Sequence, residues 1–250
     1  MNPEQSMDEK FVKNEQQRAM ADKQEKLASR VVIPVSGGYC PAQQDVILAL
    51  DIQYDGDQAH VAGDLHHWKG PFIGTFAAMV PSTVPYVPSY FCFREGPSLL
   101  ALIGRLEKEG LPIPHAIIVD GHGIAHPRRF GVGCWIGIHT QKPTLGCAKE
   151  PLLQYQGEID RPRGSRIPVL LGEETVGYIL RTQDGVKPVY VSPGHLIDLE
   201  ESARMALELC SEFRIPEPLR RADHAARAHC KGLNEKEWTD LGNLDEIVVS

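Results

Sequence analysis

Two runs of apolar residues in this chain each lead into an aspartate. Val46-Ile47-Leu48-Ala49-Leu50 runs into Asp51, and Ala116-Ile117-Ile118-Val119 runs into Asp120. Carboxylates delivered to the end of an open α/β sheet stand where ligands bind, and two or more of them can hold a divalent cation. Single aspartates at strand ends are equally common as caps and turn-formers, so the spacing alone leaves both readings open. The residues after Asp120 add to the case for chemistry. Gly121 and Gly123 bracket His122, which lets backbone approach a ligand closely, and His126-Pro127-Arg128-Arg129 follows with groups suited to phosphate. A second constellation joins a proline-stiffened aromatic loop, Pro85-Tyr86-Val87-Pro88, to the Arg94-Glu95 pair.

Periodicity outlines the elements that must position these groups. A helix with thinly spaced apolar residues, exposed along most of its surface, is expected from Phe11 to about Val32. The run ending in Asp51 reads as a central strand covered on both faces. Asp64 to Val80 carries weaker strand signals, and Pro81 to Pro88 is too rich in proline to be regular. Leu99, Leu100, Leu102, Ile103 and Leu106 predict a helix from Gly96 to Gly110, followed by the strand that ends in Asp120. Further on, a helix is expected over Phe130 to His139, a short strand over Pro143 to Gly146, and turns around Arg161 to Ser165. Strands over Val176 to Arg181 and Pro188 to Ser192, then helices over Asp198 to Phe213 and Leu219 to Cys230, complete the pattern. No repeat or low-complexity tract interrupts it, so one mixed α/β domain is expected, with an N-terminal helix and lead-in over 1–40, a main domain over 41–232 and a C-terminal tail over 233–250.

At 250 residues, 42% hydrophobic and 24% charged, the chain can bury a sizeable core. No apolar run approaches the roughly 20 residues of a membrane helix, and the segment Met1 to Phe11 is polar and acidic where a signal peptide is basic and then apolar, so a cytoplasmic protein without a membrane anchor is expected. Six scattered cysteines without a C-x-x-C pair read as inert thiols. The net charge of −7 argues against a protein that coats nucleic acid by charge alone, but not against an enzyme whose acidic residues gather where cations neutralise them.

In several blocks the sequence resembles the endonuclease V family. These are Asp51-Ile52-Gln53-Tyr54, Pro85-Tyr86-Val87-Pro88, Phe93-Arg94-Glu95, Val119-Asp120-Gly121-His122-Gly123, His126-Pro127-Arg128, Pro143 to Lys149, Gly194-His195 and Ile215 to Arg220. The resemblance implies a ribonuclease-H-like fold, a mixed central sheet flanked by helices. It implies an endonuclease that recognises a deaminated purine, hypoxanthine, and hydrolyses a phosphodiester bond on its 3′ side in DNA repair. Asp51, Glu95 and Asp120 would bind Mg²⁺, with Mn²⁺ able to substitute. Asp223 stands near a fourth position, and its neighbour His224 is the alternative. Hard oxygen ligands gathered from distant parts of the chain suit one or two such ions.

By the same resemblance Lys149 would contact the attacking water or a phosphate. Glu150 stands where relatives often place a second basic residue. Tyr86 would act as a strand-separating wedge beside Pro88, and Gly121, His122 and Gly123 would line a pocket for an extruded base. His126 and Arg128 would contact substrate, and phosphates would meet Arg128, Lys149 and the Arg220 region. The implied partner is DNA carrying deaminated bases, met by a monomer. Inosine-containing RNA is the alternative substrate, and a non-catalytic inosine reader or a ribonuclease-H-like enzyme of other specificity, such as a resolvase, the alternative function.

Overall fold

In a computed structural model, residues 3–82, 84–85, 87–233 and 237–245 are described. The chain runs α1 (Pro3–Ala28), β1 (Val46–Asp55), β2 (Gln58–His67), β3 (Phe72–Pro81), α2 (Phe91–Lys108), β4 (Ala116–Val119), α3 (Val132–Thr140) and β5 (Thr144–Ala148). It continues with β6 (Arg166–Leu171), β7 (Glu174–Leu180), β8 (Val189–His195), α4 (Leu199–Glu208), α5 (Glu217–Cys230) and β9 (Thr239–Asn243). Among the described residues the strands form one nine-stranded sheet in the order β6-β7-β8-β5-β4-β1-β2-β3-β9. Strands β1, β4 and β5 are parallel at its centre. The β1-β2-β3 meander is antiparallel on one side, and β8, β7 and β6 are antiparallel on the other. This is the mixed sheet with flanking helices that the sequence predicts.

Because successive strand residues point to opposite faces, one face of β1 carries Val46, Leu48 and Leu50 into a core shared with α2 and α3. The other carries Ile47 and Ala49, which pack with residues of α4 and α5. Asp51 belongs to this second face. The parallel β1–β4 pairing ends at Leu50 opposite Val119, and Asp120 follows at once, its N–H donating to the Leu50 carbonyl at 3.1 Å. Asp51 and Asp120 are thereby neighbours at the carboxyl end of the parallel core.

Several boundaries differ from the sequence expectation, each for a physical reason. β1 does not end at Asp51 but runs on to Asp55, because β2 goes on pairing with it after β4 has stopped; only its partner on one side terminates there. α2 begins at Phe91, not Gly96. Pro97 disfavours helical geometry at the residue before it, yet the burial of the Cys92 to Ile103 stretch carries the helix through. α4 stops at Glu208 instead of Phe213, where the Glu217 carboxylate takes the N–H groups of Ser211 and Glu212, each at 2.8 Å, and holds the chain in a loop. β6, unrecognised in the sequence, is an edge strand carrying Pro168, with Ile167, Val169 and Leu171 turned onto the core. β9, in the 233–250 stretch, lies parallel to β3 at the opposite edge. All six cysteines are free thiols, four of them buried. No helix among the described residues is long and apolar enough to cross a membrane.

Candidate active site

Three carboxylates converge at the end of the parallel strands. Asp51 comes from β1, Asp120 from the turn after β4, and Asp223 from the second turn of α5; one oxygen of each lies within 4.8 Å of the others. Asp223 therefore faces the site. Its neighbour His224 turns outward, 57% exposed, with Nδ1 3.9 Å from the carboxylate of Glu237.

The Lys149 ammonium, delivered by the turn after β5, lies among the three. Nζ is 2.5 Å from Asp120 Oδ2, 3.0 Å from Asp223 Oδ1 and 3.9 Å from Asp51 Oδ2. Asp223 is further gripped by Arg227, four residues on along α5, with Nε 2.7 Å from Oδ2 and Nη2 3.1 Å from Oδ1. Arg227 was not singled out in the sequence, although its i,i+4 spacing from an aspartate on a helix is the signal that finds it.

The electrostatics follow from burial and crowding. Burial, and then the neighbouring Asp120 charge, push the Asp51 carboxyl well above the usual carboxylate range. Burial also raises Asp120, although Lys149 opposes the shift. Burial raises Asp223 as well, but Arg227 and Lys149 outweigh it and bring the group down to about 2. For Lys149, burial works against the charged form, and Asp120 and Asp51 more than compensate, so the ammonium is held charged. Oδ1 of Asp51 accepts the Ile52 N–H at 2.7 Å, while its buried Oδ2 has no hydrogen-bond donor among the described residues. A buried acceptor without a donor is costly. Three hard oxygen donors with one orphaned acceptor fit a divalent cation of the Mg²⁺ type, which prefers oxygen ligands.

Glu95 projects from the first turns of α2 and is half-buried. Burial and the Asp120 charge push it up to about 8. It stands near Asp120 but outside the 4.8 Å cluster. Its neighbour Arg94 points elsewhere, onto the Tyr54 ring at 4.0 Å and the Gly56 carbonyl at 3.2 Å.

The turn from Asp120 to Gly123 is packed tightly against β5 and β8. A Cβ on Gly121, whose φ is +153°, would meet Val132 at 2.5 Å; one on Gly123 would meet the Pro193 carbonyl at 2.0 Å. Gly123 N–H donates to Ser192 Oγ at 2.8 Å. His122 is pushed down to about 4 by burial, so its ring is neutral, and its Nδ1 has no hydrogen-bond partner among the described residues.

His126 and Arg128 are engaged within the protein. Nε2 of His126 is 3.0 Å from the Ser89 carbonyl, and its Nδ1 accepts the Arg128 N–H at 3.1 Å. The Arg128 guanidinium donates to Gln24 Oε1 at 2.5 Å and to the Ser89 carbonyl at 2.8 Å, and lies 4.3 Å over the Tyr90 ring. Both residues brace the loop before α2 against α1. Pro88 lies exposed in that loop, and Tyr86 falls outside the described residues. Glu150 is exposed and ion-paired with Lys187, and Arg220 stacks 3.4 Å over the Phe213 ring.

Comparison with known proteins fits this geometry. A family model for endonuclease V matches residues 26–224. The chain belongs to the endonuclease V family. It is thus an endonuclease acting on phosphodiester bonds. Endonuclease V of Streptomyces coelicolor is 40% identical over 212 residues, covering 82% of this chain and 87% of the relative. The crystal structure of endonuclease V from Streptomyces avermitilis superposes with a TM-score of 0.78 at 36% identity, over 86% of this chain and 93% of that one. That of Ciona intestinalis endonuclease V, in complex with a 24mer DNA containing an inosine followed by a ribo-adenosine, has a TM-score of 0.76 at 24% identity, over 87% and 99%. The fold is ribonuclease-H-like, a single α/β domain.

Proposed function

We propose that this endonuclease recognises hypoxanthine in nucleic acid and hydrolyses a phosphodiester bond on its 3′ side, in DNA repair, with Mg²⁺ as its cation and Mn²⁺ able to replace it. The observation that carries the reading is the convergence of Asp51, Asp120 and Asp223 around an orphaned carboxylate oxygen. When bound, the cation would lower the pKa of a water and offset charge on the scissile phosphate and leaving oxygen. Asp51, Asp120 and Asp223 would hold it, with Glu95 as a further carboxylate reached directly or through a water.

The chain's own residues supply the rest. Lys149, already charged and among the carboxylates, is placed to swing from them to a phosphate oxygen or the attacking water once a cation takes over their charge. Arg227 keeps Asp223 ionised and aimed inward. The packed Gly121-His122-Gly123 turn offers a rigid edge for an extruded base, and the buried Nδ1 of His122, without a hydrogen-bond partner among the described residues, is the group proposed to read it. Tyr86 is proposed as the wedge that fills the vacated stack. DNA with deaminated bases is the proposed partner, as the Ciona complex suggests for the family.

The test is a nicking assay on matched DNA and RNA oligonucleotides, each carrying one inosine or one guanosine, in Mg²⁺ and in EDTA. Cleavage of inosine DNA in Mg²⁺ only is expected. Faster cleavage of inosine RNA would move the substrate to RNA, and cleavage indifferent to inosine would overturn the recognition reading.

A further inference from the structure

The sheet face that carries Asp51 also carries an ion pair that the reaction does not use, buried on its carboxylate side and 41% exposed on its guanidinium side. On β2, Asp64 is fully buried. It pairs across the sheet with Ala49 of β1 and Thr75 of β3, two residues along β1 from Asp51. Its carboxylate takes both arms of Arg221 on α5, Nε to Oδ2 at 2.6 Å and Nη2 to Oδ1 at 2.8 Å. The Thr75 hydroxyl adds a bond at 2.8 Å, and His66 Nδ1 lies 3.3 Å away.

The first turn of α5 is anchored by Leu219, buried in the cluster with Ile47 and Ala49, and beyond it the contact with the sheet is through small side chains. There α5 rests on the sheet through Ala222, Ala225 and Ala226 against Ala62 and Ala77, side chains too small to key into one another. Residues two apart on a helix lie about 200° apart around its axis, so Arg221 and Asp223 leave α5 on opposite flanks of that alanine stripe. Arg221 reaches down to β2 and β3, and Asp223 reaches down to the carboxylates of β1 and the β4 turn. A roll of the helix that lowers one flank lifts the other. Farther along, His229 Nδ1 meets His60 Nδ1 at 2.8 Å and tethers the C-terminal end.

We propose that the Asp64–Arg221 pair is a positioning device that sets the roll of α5 and so places Asp223 in the cation site. A bidentate arginine–carboxylate pair adds geometric specificity as well as energy, and here its carboxylate is fully buried. The inference rests on the reading of the carboxylates as a metal site. Partners that hold a metal ligand in place typically change metal affinity by about 10–100-fold when removed.

The test compares Mn²⁺ affinity by calorimetry, and cleavage against Mn²⁺ concentration, in five proteins. Wild type and Asp223→Ala define the two ends of the scale. The double variant Asp64→Asn/Arg221→Met removes the pair without leaving a buried charge. Arg221→Lys keeps the charge and loses the fork. Leu102→Ala, a cavity in the opposite core, is a control for loss of stability alone. The double variant is expected to bind Mn²⁺ about tenfold more weakly or worse and to recover cleavage at high Mn²⁺. Arg221→Lys should fall between it and wild type, and Leu102→Ala should keep wild-type affinity. Wild-type affinity in the double variant and in Arg221→Lys, with Asp223→Ala weakened, would overturn the positioning role. So would a parallel loss in Leu102→Ala. Undiminished affinity in Asp223→Ala would instead remove the metal-site reading itself.

Discussion

At the scale of single residues, Lys149 and Asp51 have opposite effects on the metal-free protein. Asp51 is a buried carboxylate facing two others, so Asp51→Asn relieves repulsion and desolvation together. Its melting temperature in EDTA should equal or exceed that of wild type while cleavage is lost; a lower melting temperature would contradict the crowding described for the site. Lys149→Met removes the cation that balances the cluster. Breaking a fully buried pair costs about 3–5 kcal/mol, and because the Lys149 side chain is 36% exposed the screened cost should be about 1–2 kcal/mol. Denaturant unfolding in EDTA should show that loss, and Mg²⁺ should recover much of it by taking the place of the ammonium. Asp51 and Asp120 were legible in the sequence because each ends a recognisable apolar run, whereas Lys149 was singled out only through the family resemblance. The choice between Asp223 and His224 was not legible, since it depends on the roll of α5 over the sheet.

At the scale of elements, α1 is fastened to the domain by the polar side chain of Gln24 together with Leu27, which reaches the core. Gln24 is fully buried. Its Nε2 donates to the Phe130 carbonyl at 2.6 Å and to the Ser89 carbonyl at 3.4 Å, and its Oε1 accepts from Arg128 at 2.5 Å. Gln24→Ala leaves those groups short of partners, at about 1–3 kcal/mol. Urea denaturation should report that loss, together with more rapid proteolysis in the 84–90 loop that Ser89 anchors. An unchanged midpoint would show that α1 is not fastened there. The sequence suggests an exposed helix here because hydrophobic spacing registers only apolar contacts, and this contact is polar. β6 is hidden for a different reason: Pro168 argues against a strand, although Ile167, Val169 and Leu171 alternate onto the core. By contrast, β4 and α5 lie close to their expected positions because burial on a well-defined face leaves a period in the residues. β1 was legible up to Asp51, and its extension depended on the distant β2 strand.

At the scale of the whole molecule, buried acid and buried histidine together set how stability depends on pH. Glu95 is raised to about 8, and Asp51 and Asp120 are raised as well, in each case by burial first. A carboxyl whose folded pKa lies above its unfolded value binds its proton more tightly when folded. Its contribution is complete at pH below about 4 and is lost as pH rises through the folded value. Asp223 and Lys149 do not change charge between pH 5.5 and 8, since one is lowered to about 2 and the other is raised. Buried His122 and His126, held down to about 4, act in the opposite direction as pH rises through the unfolded histidine value of about 6.5. The diagnostic is therefore the cation: the rise in melting temperature on adding Mg²⁺ should grow from pH 5.5 to 8. A Mg²⁺ effect that is flat or shrinks with pH would place cation binding away from these carboxyls. The central claim, that the three carboxylates form the cation site, is open to direct observation. A crystal grown with Mn²⁺, with data collected at the manganese edge, should show an anomalous peak bounded by Asp51, Asp120 and Asp223, with the Lys149 ammonium displaced from among them. A peak elsewhere, with Lys149 still bridging the three carboxylates, would contradict it.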